Sequence, residues 1–189
     1  MLAYIFWHWP RPDVDRHTYE NDLMEFHRAL AGCRPAGFQS SLVFRLQAAP
    51  WIPAGRAGYE DWYLLKDSAA LDALNEAAVS GACQAPHDRV ARDAEGGTGG
   101  LYRLRGDLPD AAANQLALWF PKPPGVSYDE LYALLRPWTD QAGLALWQRQ
   151  LVLGPAPEFY LLAPGRLELP AGLATLEVLV ELIWPMDRP

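Results

Sequence analysis

Lysine is nearly missing from this chain, standing only at positions 66 and 122, and nowhere do Lys and Arg gather into a basic run. Phosphate recognition needs clustered positive charge, and a formal net charge of -7 works against it, so nucleic acid is excluded as a partner. Cysteine is also scarce. Cys33 and Cys83 share no motif spacing, and two thiols cannot build the thiolate cluster of a structural zinc site unless histidines join them. We read them as free thiols of a reducing compartment. Long apolar runs are absent as well: Leu2 to Trp9 is preceded by no basic region, contains His8 and is too short to cross a bilayer. Neither a secretion signal nor a membrane partner is expected, and the expected location is cytoplasmic.

What the chain does have is hydrophobic and aromatic residues, 50% and 12% of 189, enough to bury a proper core. It also repeats itself. Trp9-Pro10-Arg11-Pro12 returns as Phe120-Pro121-Lys122-Pro123, Thr18-Tyr19-Glu20 as Ser127-Tyr128-Asp129, and Asp61-Trp62-Tyr63-Leu64-Leu65 as Glu158-Phe159-Tyr160-Leu161-Leu162. Three matches kept in order point to duplication of one folding unit. Residues 1–106 are expected to form the first unit, 107–113 a linker and 114–189 a second, truncated unit.

In the first unit, Ala3 to Trp9 reads as a strand stopped by Pro10 and Pro12. Tyr19, Leu23, Phe26 and Leu30 make one stripe of a helix capped by Asp15 or Thr18, with Gly32 near its end. Phe38 to Leu46 alternates as a strand with one apolar face, and Tyr59 to Lys66 is a third strand. A helix follows from Asp67 or Ser68 to near Gly81, then a short one from Pro86 through Ala94. Gly96-Gly97-Thr98-Gly99-Gly100 reads as a flexible turn before a strand at Leu101 to Arg105. The second unit repeats the order with strands at 115–120, 144–153, 158–163 and 176–184 and a helix at 127–142. Its second helix is missing or reduced, because Pro164, Gly165, Pro170 and Gly172 leave it no room.

The order β-α-β-β-α-β is that of a ferredoxin-like unit, whose sheet is covered by helices on one face and bare on the other. Two such units bury their bare faces together. On this element order and the internal repeat, from Ala3 to Trp184, the chain resembles the dimeric α/β-barrel superfamily, EthD-like and antibiotic-biosynthesis-monooxygenase-like proteins among them. The fold class expected is α+β, two tandem ferredoxin-like units forming the barrel within one chain. The resemblance implies a menu of activities: cofactor-free monooxygenases, haem-binding oxygenases and dismutases, isomerases and ligand-sensing domains. A homodimer is open to such a protein.

If each strand turns its apolar side to the helices, the polar sides line the barrel: Gln39, Ser41 and Arg45, then Asp61 and Tyr63, then Arg103 and Arg105, with Glu158, Tyr160, Glu177 and Glu181 from the second unit. His8 is placed there as general base, Tyr63 as hydrogen-bond donor and Arg45 as anion holder, with Asp61, Arg103, Tyr160 and Gln39 binding the ligand. The competing reading makes these residues structural ion pairs between the halves. His17 should be solvated and His27 should sit at the margin of its helix stripe, and no histidine has a metal-ligand pattern, so no metal or other cofactor is expected. His87-Asp88-Arg89 reads as a solvated helix face with i, i+4 pairs of Asp88 with Arg92 and Arg89 with Asp93. The function expected is binding of a small aromatic or acidic organic molecule, with cofactor-free oxygenation or isomerisation as its chemistry. A non-catalytic ligand-binding or structural protein is the alternative, and a haem-binding barrel the second alternative.

Overall fold

The computed structural model describes residues 1–106, 108, 116–141, 144–152 and 156–184. The elements run β1 (Leu2–Pro10), α1 (Arg16–Cys33), β2 (Phe38–Gln47), β3 (Gly58–Leu65), α2 (Ala69–Ala78), α3 (Gly81–Asp93), β4 (Ala94–Arg105), then β5 (Leu116–Phe120), α4 (Tyr128–Thr139), β6 (Ala145–Val152), β7 (Phe159–Ala163) and β8 (Leu176–Trp184). The expected 107–113 linker lies outside the described residues apart from Leu108.

All eight strands pair antiparallel into one closed barrel in the order β1-β3-β2-β8-β5-β7-β6-β4. Within it the first half contributes β4-β1-β3-β2 and the second β8-β5-β7-β6, the same arrangement, joined at β2 with β8 and at β4 with β6. Closure pairs both edges of each half-sheet within the chain, so no second copy is needed to complete the barrel. The repeated motifs, however, are out of phase. Trp9 packs toward the barrel interior whereas Phe120 packs under α4, and Trp62 faces inward whereas Phe159 faces outward. With a side-chain period of two, an alignment shifted by one residue exchanges the faces.

Helices cover the outside. Asp15 caps α1 by accepting the Thr18 N–H at 2.9 Å, and Arg34 ends it in the left-handed region. Tyr19, Leu23, Phe26 and Leu30 are all buried beneath it. Helix α4 begins with a capping box in which Ser127 and Glu130 satisfy each other's backbone N–H groups. No helix stands between β7 and β8; Leu167, Leu169 and Leu173 from that connection pack onto the sheet instead. No described helix is long and apolar enough to cross a membrane.

Two local expectations are corrected. Helix α3 starts at Gly81, five residues before Pro86. The glycine run is part of β4, paired along β1. The cause is steric: a Cβ at Gly96 would come within 2.7 Å of the Trp9 ring and one at Gly99 within 3.0 Å of Tyr4, while Phe6 lies over Gly97. Glycine lets the large rings of β1 fold across the neighbouring strand.

Candidate functional site

The barrel interior is not the polar chamber that alternation suggested. Ile5 and Trp7, Leu42, Phe44 and Leu46, Trp62 and Leu64, Trp119, Trp147 and Val178 fill it, and Trp51 and Ile52 reach in from the β2–β3 loop. In the first half the strands turn their more apolar faces inward because barrel walls exclude water on every side, whereas a helix layer leaves margins open. Among the described residues one carboxylate enters. Glu60 accepts hydrogen bonds from Trp7 Nε1 at 2.7 Å, Trp62 Nε1 at 2.6 Å and Tyr160 Oη at 2.9 Å. Burial pushes its carboxyl up to about 7 against the pull of those three donors. The sequence reading passed over Glu60, although a carboxylate alternating with Trp62 and Leu64 on one strand face was the available signal.

The polar faces of β1, β2 and β3 lie instead under the helices, where His8, Asp61, Tyr63 and Ser41 meet Tyr19 and His27 from α1. Asp61 is the hub. It accepts from His8 Nε2 at 3.0 Å through Oδ1 and from Tyr63 Oη at 3.1 Å through Oδ2, and His27 Nε2 stands 3.4 Å away. Burial alone would raise the Asp61 carboxyl, yet the two imidazoles beside it hold it far below the usual carboxylate range, so it stays ionised. A carboxylate can only accept, so whenever His8 is neutral its proton lies on Nε2 and Nδ1 is left to accept. Nδ1 lies 2.7 Å from Tyr19 Oη. Burial, and then the Asp61 charge, drive the Tyr19 and Tyr63 hydroxyls well above the usual phenol range, so both keep their protons. The other nitrogen of His27 meets Ser41 Oγ at 2.8 Å.

This cluster borders a cavity of about 440 Å³ between the sheet and α1, α2 and α3. His8, Tyr19, Asp61 and Tyr63 supply polar atoms at one side, Tyr4, Phe6, Phe26 and Leu74 an apolar wall, and His87, Asn75 and Glu95 further polar lining. Among the described residues no Arg or Lys lines the cavity. The rings are layered along the wall: Phe6 stacks on His8 at 5.6 Å and Tyr4 on Tyr63 at 5.9 Å.

Other expected site residues fall elsewhere. Arg45 is spent on ion pairs, Nε to Glu20 at 2.8 Å and Nη1 to Glu181 at 2.6 Å, the second bridging the two halves. Gln39 is exposed, and so is Arg103, whose Nε donates to Gln150 at 3.2 Å. Tyr160 is inside the barrel on Glu60, not at the cavity. Arg89 does not pair with Asp93 four residues on; it crosses to Asp22 at 2.8 Å and to Glu25, both on α1. His17 is exposed, and His27 is wholly buried within the Asp61 cluster. Among the described residues no three His, Cys, Asp or Glu side chains are gathered around a point a metal could occupy.

Scanned against protein-family models the sequence matches none, and no curated protein matches it. Solved structures do. The chain superposes on a candidate monooxygenase from Fusobacterium nucleatum subsp. nucleatum with a TM-score of 0.64 at 7% identity, over 99% of this chain and 94% of that one. A candidate monooxygenase from Lactobacillus acidophilus NCFM gives 0.60 at 8% identity, over 99% and 96%. An anthrone oxidase-like protein gives 0.59 at 9% identity, over 98% and 92%. At such identity the likeness concerns the fold alone. The chain has the dimeric α/β-barrel fold, with both ferredoxin-like sheets supplied by one polypeptide.

Proposed function

We propose that the cavity under α1, α2 and α3 binds a small planar aromatic molecule bearing a hydroxyl group, and that Tyr19, His8 and Asp61 carry away its proton. The observation that supports this is the line from Tyr19 Oη to His8 Nδ1 to Asp61, buried and ending on an aromatic-walled cavity. The substrate hydroxyl donates to Tyr19 Oη while the Tyr19 proton passes to His8 Nδ1. The resulting imidazolium lies against the Asp61 carboxylate, which stabilises it and holds the ring in place as the acid of a hydrolase triad does. What remains in the cavity is an electron-rich aryloxide. Such an anion is the activated form for cofactor-free oxygenation by molecular oxygen or for isomerisation, and oxygen chemistry is also what the names of the solved structures describe.

An acidic substrate, the other class expected from sequence, is disfavoured. Its carboxylate would meet Asp61, among the described residues no Arg or Lys lines the cavity to receive it, and Arg56 is already paired with Glu95 at 2.8 Å. His8 is not set up to hold haem, since both of its nitrogens are already engaged.

Oxygen uptake with dihydroxynaphthalene as substrate, in metal-chelated buffer, tests the reading. Turnover by the native chain that falls at least about a hundredfold in His8→Ala, the range of a lost general base, supports it. Saturable binding without turnover would move the chain to the ligand-binding class, and no binding at all would remove the proposal.

A further inference from the structure

Cys33 closes α1 and Cys83 lies in the first turn of α3, and their Sγ atoms stand 3.0 Å apart across a separation of 50 positions. Their surroundings differ sharply. Cys33 is exposed, while Cys83 is buried in the apolar cluster of Phe26, Leu30, Tyr63 and Leu74. The two helices pack antiparallel: further along, Arg89 of α3 reaches Asp22 and Glu25 of α1. Both helices also wall the cavity, α1 through Tyr19 and Phe26 and α3 through His87, Val90 and Ala91.

We propose that Cys33 and Cys83 form a redox modification site, in which a hydroperoxide converts the pair to a disulfide that fastens α3 to α1 across the roof of the cavity. Exposure divides the chemistry. The Cys33 sulfur attacks the O–O bond of the hydroperoxide, which breaks; the sulfur becomes a sulfenic acid and the remaining oxygen leaves as an alcohol, or as water when the oxidant is hydrogen peroxide. The Cys83 thiol then attacks that sulfur. The S–S bond forms as the S–O bond breaks, and the hydroxyl departs with the thiol proton as water. Two sulfurs are oxidised by two electrons in all, and one peroxide is reduced. Burial and the neighbouring Cys33 push the Cys83 thiol up to about 12, so it keeps its proton and is not a target on its own. The site stands apart from the relay at Tyr19, His8 and Asp61, so it holds whether or not the cavity proves catalytic.

Reduced full-length protein is titrated with hydrogen peroxide, digested without reductant and mapped by mass spectrometry, with amide exchange followed in parallel. The expected result is one linked peptide pair joining Cys33 to Cys83 within a monomer, exchange across 81–93 slowed several-fold, and both effects reversed by dithiothreitol. In Cys83→Ser the reaction should stop at a sulfenic acid on Cys33 that a dimedone probe captures. In Cys33→Ser, a change at an exposed position, Cys83 should stay reduced. Oxidation of Cys33 to sulfinic acid with Cys83 left as thiol, disulfide-linked dimers, oxidation of Cys83 in Cys33→Ser, or a linkage that leaves exchange in 81–93 unchanged would each overturn the proposal.

Discussion

The two halves of the barrel carry the same strand arrangement and opposite chemistry on their helix-facing surfaces. In the first half that surface presents His8, Asp61, Tyr63 and Ser41, and three helices span it with a cavity beneath. In the second it presents Leu116, Leu118, Phe120, Leu146, Phe159 and Leu161, closed by Leu131 and Leu135 of α4, with one polar contact at the margin, where Gln148 accepts from Tyr132 of α4 at 2.7 Å. Topology is thus indifferent to the site. What decides it is the residue type at the outward positions of the first and third strand of each half, where polar groups that must satisfy one another hold the layer apart and leucines let it collapse.

The largest expected effects break the packed helix layers, one in each half. Phe159→Ala should cost about 3 to 5 kcal/mol in urea unfolding, because a close-packed layer cannot refill the space, while leaving the affinity for 2-naphthol unchanged. Leu23→Ala under α1 should cost about 2 to 5 kcal/mol for the same reason. A shift in naphthol affinity on Phe159→Ala would show that the halves are not independent. The next effect comes from the barrel the halves share. Glu60 has its folded-state carboxyl raised from 4.5 to about 7. The folded protein therefore binds a proton the unfolded chain has already released between these values, and stability falls as pH rises from about 4.5 to about 7. At roughly 1.4 kcal/mol per unit the loss is about 3 kcal/mol, and Glu60→Gln should flatten that limb of a pH series of unfolding curves. Asp61 acts with the opposite sign: its depressed carboxyl contributes stability above the usual carboxylate range that is lost as pH falls. The smallest effect is at the cavity lining. His87, stacked edge-on against Phe26 at 5.6 Å and partly exposed, should change stability by less than about 0.5 kcal/mol when replaced by Ala, yet speed naphthol release in stopped-flow fluorescence.

The fold was legible to the extent that it rests on local pattern. Proline and aspartate mark the ends of β1 and the start of α1, the Tyr19–Leu30 stripe shows the helix, and the proline and glycine residues at 164–172 mark the place where a helix is absent. Which sheet face turns inward was not legible, because alternation separates two faces without saying what lies opposite either. Glu60 and Asp61 make the point: adjacent acidic residues in one strand, they emerge on opposite faces and are shifted in opposite directions. Face assignment moved the site from the barrel to the helix layer, kept His8 and Tyr63 together on Asp61, and sent Arg45 to Glu20 and Glu181. The contacts of His8 with Tyr19 and of Asp61 with His27 join strands to a helix, so no periodicity within one segment could reveal them. The glycine run was misread because its role is to make room for Tyr4, Phe6 and Trp9, side chains that lie about ninety positions away.

The proposed function rests on transfer of a proton from an aromatic hydroxyl in the first half's cavity. The ultraviolet spectrum of bound 2-naphthol, recorded about two pH units below its solution pKa, tests it most directly. Naphtholate absorption is expected with the native chain, and neutral naphthol bound by both His8→Ala and Asp61→Asn. Neutral naphthol bound by the native chain, or naphtholate persisting in His8→Ala, would contradict it.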